Sequence, residues 1–317
     1  MPDLDAPITE QQEVPALVQP GRPAPPRADH EFTVVERNQW QQAARRFLRH
    51  RIAMVSLVVF ILLLLFAFVG PHLWQYNYKT LTNDNSVGPS LRHPFGTDNL
   101  GADQLAVVMR GTQQSLKIAL TIAALAVIVG SIWGVVAGYF LGVVDSVLMR
   151  LADLVLTIPA LALAAALAHN TTGQWYIIAL ILGSLATPYV ARVVRGTVLS
   201  LREREFVEAA RALGATNTRI MFRHLIPNSL AVIIVNATLL VAAGILGETA
   251  LSFLGFGVRS PDTSLGLQIT VAQGAVQTRP WLFYFPGVFI ILIALTINFV
   301  GDGLRDALDP RQTRQRR

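Results

Sequence analysis

Five long stretches of the chain contain no Asp, Glu, Lys or Arg, and these runs limit the possible folds more than any other feature. A helix needs roughly 20 consecutive apolar residues to cross the core of a bilayer. The uncharged runs cover residues 52–70, 118–144, 154–191, 224–247 and 281–301. Because 52% of the residues are hydrophobic and only 15% are charged, an ordinary water-soluble domain is excluded. The sequence therefore predicts an all-α integral membrane protein.

The third run is too long for one helix. It is interrupted by the polar segment HNTTGQ at residues 169–174, which divides it into two spans. The sequence then predicts six transmembrane helices within a membrane domain that covers residues 52–317. Their approximate ranges are 52–70, 115–142, 151–169, 175–195, 228–257 and 281–301.

The basic residues predict which side of the membrane each connection faces, since Lys and Arg accumulate in short cytoplasmic loops. With the N-terminus inside, 20 of the 26 basic residues lie on the cytoplasmic side. Trp74, Trp175 and Trp281 then fall at outer edges, where indole rings favour the headgroup region. Both termini are therefore predicted to be cytoplasmic. Because the arginines lie beside spans rather than on a soluble basic face, membrane lipid is a predicted partner and nucleic acid is not.

The N-terminal part is predicted to contain a disordered cytoplasmic tail, residues 1–36, that is rich in Pro, Gln and acidic residues. In the following segment, residues 37–51, Ala43 and Phe47 recur at helical spacing while Arg45 lies toward the other side. This pattern predicts an amphipathic helix in the inner membrane interface. A cytoplasmic extension of the first span is the alternative.

Gly130, Gly134, Gly138 and Gly142 recur every four residues in the second span. Small residues at this spacing allow the backbone of another helix to approach closely. The stripe therefore predicts a packing face, with a conformational hinge as the alternative.

Glu248 is the one acid well inside an apolar stretch, and an ionisable side chain there is costly enough to indicate a function. It either braces a broken helix at the outer end, with GFG at residues 255–257 marking the break, or lines a path through the membrane. Asp145, Asp153 and Asp302 lie at the ends of predicted spans, where water or headgroups can solvate them, and are interpreted as boundary residues.

A charged helical segment, Glu205 to Ser229, separates the fourth and fifth spans. The apolar stripe of its first helix contains Phe206, Ala209, Ala210 and Leu213, and the remaining surface contains Glu205, Glu208 and Arg211. Gly214 can end this helix as a C-terminal cap, and Thr216 or Asn217 can cap a second helix. Pro227 is tolerated at the start of the next span. Because a solvated loop needs no such organisation, the segment predicts a cytoplasmic protein partner.

These residues carry a resemblance to a known family. EAARALG, Glu208 to Gly214, followed by IP at residues 226–227, resembles the EAA loop of ABC-importer permeases, whose short coupling helix docks into a cleft on a separate ATPase subunit. The segments similar to dipeptide and oligopeptide permeases are FRHLIPN at 222–228, HPFGTDNLG at 93–101, LSFLGFG at 251–257 and GDGLRDALDPR at 301–311. The resemblance covers about residues 45–311. It departs at Ala102 and Gln113, where the family usually has Arg.

The resemblance implies a C-type permease subunit in the membrane of a bacterial cell, which imports di- or oligopeptides by alternating access. Nickel chelates or other small solutes are the alternative substrates. The implied partners are a homologous second permease, two ATPase domains or subunits that bind ATP and Mg²⁺, and an extracytoplasmic substrate-binding protein. The implied coupling residues are Glu205, Glu208, Ala209, Ala210, Arg211 and Gly214, and the implied outer-loop residues are His93, Asp98 and Gly101.

The residues independently predict that this chain is not the ATPase and binds no cofactor or metal of its own. A phosphate-binding loop of the GxxxxGK[ST] type needs Lys after Gly, whereas the only lysines, Lys79 and Lys117, follow Tyr and Leu. The chain has no Cys and no HExxH motif. A secondary transporter is expected to place several acids or His within its spans, and only Glu248 qualifies. An intramembrane enzyme needs a paired acid and base or metal ligands there, and none is visible.

The first outer connection, residues 71–113, contains an apolar-periodic run from Leu105 in which Val108 and Met109 share a helical face. This run predicts a short helix on the outer leaflet that leads into the second span at Ser115. The helix either receives the binding protein, seals the outer mouth, or only shields the ends of the spans.

Overall fold

The structure is a computed structural model that describes residues 39–308, and in that range it contains only helices and connecting segments. The predicted tail, residues 1–36, and the last residues of the predicted membrane domain lie outside the described part. In chain order the α-helices are α1 (Gln39–Arg49), α2 (Arg51–Phe68), α3 (Gly70–Leu73), α4 (Gln104–Phe140), α5 (Gly142–Thr157), α6 (Ala160–Ala168), α7 (Trp175–Leu201), α8 (Glu205–Ala212), α9 (Asn217–Ile220), α10 (Ile226–Phe253), α11 (Leu265–Ala272) and α12 (Trp281–Leu308). A π-helical turn, Met221–Leu225, connects α9 to α10.

Five helical segments of the described part are long and apolar enough to cross a membrane. They are α2, α4, α7, α12 and the continuous segment Asn217–Phe253, which contains α10. The pair α5 and α6 passes the same test together but is bent by 84°, so it is either a broken span or a re-entrant loop. By length and composition, the number of spans is therefore five, or six if the bent pair counts as one.

The third span predicted at 151–169 corresponds to two helices with other limits, α5 and α6, so the prediction of one span there stays open. Helix α5 already begins at Gly142, and the chain turns sharply between Ile158 and Pro159. Proline disfavours the α conformation of the residue before it, and Ile158 accordingly has an extended ψ of 135°. The apolar run has the length of a span, but its proline divides it into two helices.

Helix α4 corrects a second prediction, because the run from Leu105 does not form a separate helix on the outer leaflet. It is the first part of one 37-residue helix that starts at Gln104, well before the predicted limit at 115. The Asp103 side chain caps this helix by accepting a hydrogen bond of 2.9 Å from the N–H of Ala106. Since no proline follows in this run, nothing breaks the helix before Ser115.

The remaining limits differ by a few residues. Helix α7 continues to Leu201 and α12 to Leu308, past the predicted ends at 195 and 301, because a helix can leave the membrane without unwinding. Helix α10 ends at Phe253, and Gly255 follows with a φ of +84°. The break predicted at the GFG segment is thereby confirmed, and the predicted fifth span at 228–257 is shortened at that end.

The glycine stripe of α4 packs against α7, as predicted. A Cβ atom on Gly134 would collide with the backbone oxygen of Ala191, and one on Gly130 would lie 2.7 Å from the Cβ of Val190. Gly142 is the exception, because it starts α5 with a φ of +58° and has open space around it. The stripe therefore brings two backbones together at its first three positions and serves a turn at the fourth.

Helix α1 forms at 39–49 and is separated from α2 by His50, whose ring accepts a hydrogen bond from the N–H of Ala53. Phe47 of α1 lies beside Gly303, near the end of α12. The helix predicted at 37–51 is therefore present, and its place in the inner membrane interface stays a prediction.

Candidate functional site

The segment between α7 and α10 folds as the helix, turn, helix and span that its sequence predicts. Gly214 ends α8 with a φ of +76°, which a glycine adopts at little cost. The N–H of Gly214 donates to the carbonyl of Arg211 at 2.9 Å, and the N–H of Ala215 donates to that of Ala210 at 3.0 Å. Thr216 then caps α9 by accepting a hydrogen bond from the N–H of Arg219. The caps predicted at Gly214 and Thr216 are confirmed.

The apolar stripe predicted for α8 is divided between two surfaces. Ala210 is buried, together with Val207, a residue outside the predicted stripe. Phe206, Ala209 and Leu213 are exposed, with 38% of the Phe206 surface and 88% of the Leu213 surface accessible. The helix is rotated relative to the prediction, so that the side chain of Val207 enters the core and these three residues do not. The polar residues of the helix are exposed as well, namely Glu205, Glu208 and Arg211.

We call Phe206, Ala209 and Leu213 the exposed α8 face. Their spacing of three and four residues places them on one side of the helix. The adjacent side of the helix contains Val207 and Ala210, which belong to the main hydrophobic core of the chain. The exposed α8 face is therefore an apolar surface on a helix whose neighbouring side is packed into the core.

Tyr139, near the end of α4, connects α4 at three points to the segment between α7 and α10, which we call the insert. Its hydroxyl donates a hydrogen bond of 2.8 Å to Oδ1 of Asn217, the first residue of α9. The guanidinium of Arg211 lies 5.5 Å from the centre of its ring, and its carbonyl accepts a hydrogen bond of 3.0 Å from Arg202. Sequence reasoning missed Tyr139, because nothing in an apolar run indicates which aromatic residue meets a distant loop.

The insert is joined to the fifth span without a flexible break. Helix α9, the π-helical turn and α10 follow one another directly, and Pro227 occupies the first turn of α10 as predicted. A π-helical turn is rare and occurs frequently at functional sites. Helix α9, the π-helical turn and α10 therefore form one continuous helical segment.

Two ion pairs clamp α5 to α7 in the half of α7 that leads to the insert. Arg195 donates two hydrogen bonds of 2.5 Å to the two carboxylate oxygens of Asp145, and Arg192 pairs with Asp153. The interpretation of Asp145 as a solvated boundary residue is therefore wrong, whereas Asp153 is 43% exposed and agrees with it. Only 14% of the Asp145 side chain is exposed. Sequence alone could not pair these residues, because only the packing of α5 against α7 brings them together.

Glu248 is fully buried and joins three helices through serine hydroxyls. Its Oε1 accepts hydrogen bonds from Ser252 of α10 at 2.7 Å and from Ser264 at 2.6 Å. Its Oε2 accepts a longer hydrogen bond of 3.3 Å from Ser115 of α4. Ser264 is the N-cap of α11, so the carboxylate connects α4, α10 and α11. This is the geometry of a brace, and a role in lining a path stays a prediction.

The connection between α3 and α4, residues 74–103, which we call the outer loop after its predicted side of the membrane, contains a buried histidine between two acids. Nδ1 of His93 lies 2.7 Å from Asp103, and its Nε2 lies 3.2 Å from Asp84. Arg92 pairs with Asp84 at 2.9 Å and donates a hydrogen bond to Tyr76. These two contacts, Tyr76 first and Asp84 second, raise the pKa of the Arg92 guanidinium. His93 therefore holds the loop against the cap of α4 rather than facing solvent.

Asp98 and Gly101 shape the turn that leads to α4. Oδ1 of Asp98 accepts hydrogen bonds of 2.8 Å from the N–H groups of Leu100 and Ala102. Gly101 has a φ of +85° and lies against the backbone of Thr82, so no side chain fits there. The structure thus brings the predicted residues His93, Asp98 and Gly101 into one loop, far along the chain from the α8 residues.

Sequence reasoning missed a contact between α4 and the segment that precedes α11. Arg110 of α4 forms two hydrogen bonds of 2.9 and 3.0 Å with Asp262, 152 residues away, and Gln114 donates to the same carboxylate at 2.5 Å. These contacts attach the segment before α11 to α4. Within residues 39–308, no three His, Asp or Glu side chains are grouped as a metal ion requires.

The apolar spans and the helical segment before α10 define a multi-span membrane protein. The fold agrees with that of a chain in the structure titled "Inward facing conformations of the MetNI methionine ABC transporter", with a TM-score of 0.53 over 64% of this chain and 96% of that one. The sequence identity is 21%, so the likeness concerns the fold alone.

Sequence comparisons identify the family. A family model described as "Binding-protein-dependent transport system inner membrane component" matches residues 126–314, and one described as "N-terminal TM domain of oligopeptide transport permease C" matches residues 38–94. The chain is 41% identical to the oligopeptide transport system permease protein OppC of Mycobacterium tuberculosis, over 86% of this chain and 95% of the relative. It is 36% identical to the dipeptide transport system permease protein DppC of Alkalihalophilus pseudofirmus, over 93% and 96%. The chain belongs to the binding-protein-dependent transport permeases, in the group that contains OppC and DppC. The resemblance carried by EAARALG and its companion motifs is thereby confirmed.

Proposed function

We propose that this chain is one of two permease subunits of an ATP-driven importer whose substrates are di- or oligopeptides. The names of its relatives support the peptide substrate, because the similarity extends over almost their whole length. Nickel chelates and other small solutes are the alternative substrates. The chain forms the path across the bacterial cell membrane together with a homologous permease.

The observation that carries the proposal is the exposed α8 face. A contiguous apolar surface outside the spans indicates a protein contact, and an apolar helix face in a groove is a recurrent way of making one. Phe206, Ala209 and Leu213 are the residues that a cleft on an ATPase would bury. Glu205, Glu208 and Arg211 form the polar rim of the same helix.

The connections of α8 support a mechanical role. In the proposed cycle, ATP and Mg²⁺ bind to two partner ATPase domains, which close and move α8. Because α9, the π-helical turn and α10 are continuous, the movement reaches the fifth span, and the contacts of Tyr139 pass it to α4. The two permeases then open outward and receive substrate from an extracytoplasmic binding protein.

The proposed orientation places both termini and α8 in the cytoplasm and the outer loop outside. It rests on the distribution of basic residues. The chain has no Cys, so single cysteines report the orientation directly. In intact cells an impermeant thiol reagent should label Leu91→Cys and leave Leu213→Cys unlabelled. The reverse pattern would refute the orientation.

Co-purification tests the coupling role. Extraction of the wild-type chain in mild detergent should bring down an ATPase, whereas Leu213→Asp should reach the membrane at normal levels and lose it. Leu91→Asp is the matched control, since Leu91 is also highly exposed but lies on the outer loop. Full retention of the ATPase by Leu213→Asp would refute a contact at the exposed α8 face. Uptake of peptides of graded length beside nickel, in a strain that lacks the transporter, decides between the substrate classes.

A further inference from the structure

A cavity of about 340 Å³ lies between the outer loop and the segments around α11. It is lined by residues of the outer loop, the start of α4, the segment that precedes α11, α11 itself and the start of α12. Two contacts fix its walls, namely the pairing of Arg110 with Asp262 and a hydrogen bond of 3.1 Å from Trp281 Nε1 to the carbonyl of Thr97. The volume is at the lower end of the range of about 300–1,000 Å³ for small-molecule sites.

The cavity contains two opposite charges that lack ionic partners. Asp98 uses Oδ1 for backbone N–H groups, and its Oδ2 has no hydrogen-bond partner in residues 39–308. Arg279 donates one hydrogen bond of 3.3 Å to the hydroxyl of Ser86 and forms no ion pair with any described carboxylate. The N–H of Ser86 donates to the carbonyl of Asp98 at 2.7 Å, so both charged residues border the same part of the cavity. Asp262 differs from Asp98, because Arg110 neutralises it.

A polar group and an apolar wall complete the cavity. Gln104 is 5% exposed, lines the cavity and forms no side-chain hydrogen bond within the described part of the chain. Its amide is therefore available to a ligand, and the amide oxygen and nitrogen match the N–H and C=O of a peptide group. Leu267, Val271 and Leu282 supply apolar surface on the side of α11 and α12.

We propose that this cavity binds a short peptide through both of its charged ends. Asp98 pairs with the terminal ammonium, Arg279 pairs with the terminal carboxylate, and Gln104 forms hydrogen bonds with the peptide bond. Because Asp98 and Arg279 are half-buried and have no ionic partners, a ligand that supplies both opposite charges gains more binding free energy than a ligand that supplies one. The site would hold the substrate on the outer side between its release by the binding protein and its passage through the spans. This inference rests on the proposed function in one respect, namely that the ligand is a transported peptide. A free amino acid carries the same two charges, so the charged residues alone do not distinguish the two ligands.

Protection of an introduced cysteine from alkylation tests the site. The sample is the complete complex, in which this chain is purified together with its partner subunits. Val271→Cys provides an exposed thiol in the cavity wall, and Leu91→Cys provides an exposed thiol on the outer loop away from the cavity. Dialanine should slow the alkylation of Val271→Cys and leave that of Leu91→Cys unchanged. N-acetyl-dialanine and dialanine amide, which each lack one charge, should need about fivefold higher concentrations for the same protection, as expected for one partly exposed ion pair.

Two further substitutions test which residue pairs with which charged end of the peptide. In Asp98→Asn, which keeps the acceptor for the two backbone N–H groups, dialanine and N-acetyl-dialanine should protect equally. In Arg279→Gln, dialanine and its amide should protect equally. Unchanged Leu91→Cys labelling and normal co-purification of the other subunits show that both variants are folded. Absence of protection by dialanine, or the same ranking of the peptides in both variants, would overturn the proposal.

Other ligands give different results. If alanine protects as well as dialanine, the contact of Gln104 with a peptide bond is wrong and the site belongs to an amino acid. If protection requires the binding protein but no peptide, the cavity is a docking surface and the proposal is overturned. Uptake of dialanine by liposomes that contain the complex and its binding protein distinguishes a failure of this site from a failure of the proposed function. Uptake without protection refutes this site alone, whereas charge-dependent protection without any peptide uptake refutes the proposed function and leaves the binding site.

Discussion

The hydroxyl of Ser264 donates a hydrogen bond of 2.6 Å to Oε1 of Glu248, although the two residues lie on different helical segments. The same Ser264 oxygen accepts a hydrogen bond of 3.1 Å from the N–H of Leu267 and so caps α11. Glu248 therefore determines where α11 begins relative to α10. With Ser115 as a third partner, the carboxylate holds α4, α10 and the start of α11 in one arrangement.

Removal of this carboxylate should loosen the contact between α4, α10 and α11. Glu248→Ala leaves three serine hydroxyls without their acceptor and creates a cavity, and it should cost about 3 kcal/mol of stability. Glu248→Gln keeps an acceptor oxygen in nearly the same volume and should cost about 1 kcal/mol. Thermal unfolding of the purified complex compares the two. Equal melting temperatures for both variants would show that Glu248 is not a brace.

The contact between α4 and α7 should tolerate no added side chain at Gly134. Gly134→Ala places a methyl group against the carbonyl oxygen of Ala191 and should destabilise the protein by about 2 kcal/mol through overpacking. Gly247→Ala is the matched control, because Gly247 also lies within a spanning helix and has nothing near its missing Cβ. We expect reduced membrane levels and a lower melting temperature for the first variant only. Similar behaviour of the two would exclude close packing as the reason for the glycine.

Gly214 should matter for coupling rather than for assembly. A Cβ at this position meets nothing within 4 Å, so the cost of a substitution comes only from the φ of +76°. Gly214→Val should add about 1–2 kcal/mol of local backbone strain and displace the end of α8, whereas Gly214→Asn tolerates this conformation. The valine variant should show normal membrane levels and ATP hydrolysis that no longer drives uptake. Normal transport by Gly214→Val would contradict the proposed role.

The ion pair between Asp145 and Arg195 should respond to single substitutions and partly recover on exchange. Asp145→Ala leaves a half-buried guanidinium without its partner and should cost about 1–2 kcal/mol. Exchange of the two residues, Asp145→Arg with Arg195→Asp, should recover part of that loss. Asp153→Ala is the control, because its pair with Arg192 is more exposed and should contribute less than about 1 kcal/mol. The measurement is the heat stability of the complex, and a double variant less stable than either single variant would argue against a specific pair.

Local features of the chain are enough to predict the class of fold and the form of the insert. The length of an apolar run and the absence of charge are properties of neighbouring residues, and so are the caps at Gly214 and Thr216. The EAARALG motif is likewise contiguous. Since a spanning helix satisfies its backbone hydrogen bonds internally, its existence can be recognised without knowledge of its neighbours.

Tertiary structure decided which residues meet. Only packing shows that the carboxylate of Glu248 joins Ser115 to Ser264, that Asp145 reaches Arg195, and that Phe206 and Leu213 remain exposed while Val207 is buried. These contacts depend on the rotation of each helix about its axis and on its angle to its neighbours. Helical periodicity predicts which residues share a face, but not which face meets another helix. The physical reason is that this choice follows from side-chain packing between segments far apart in the chain.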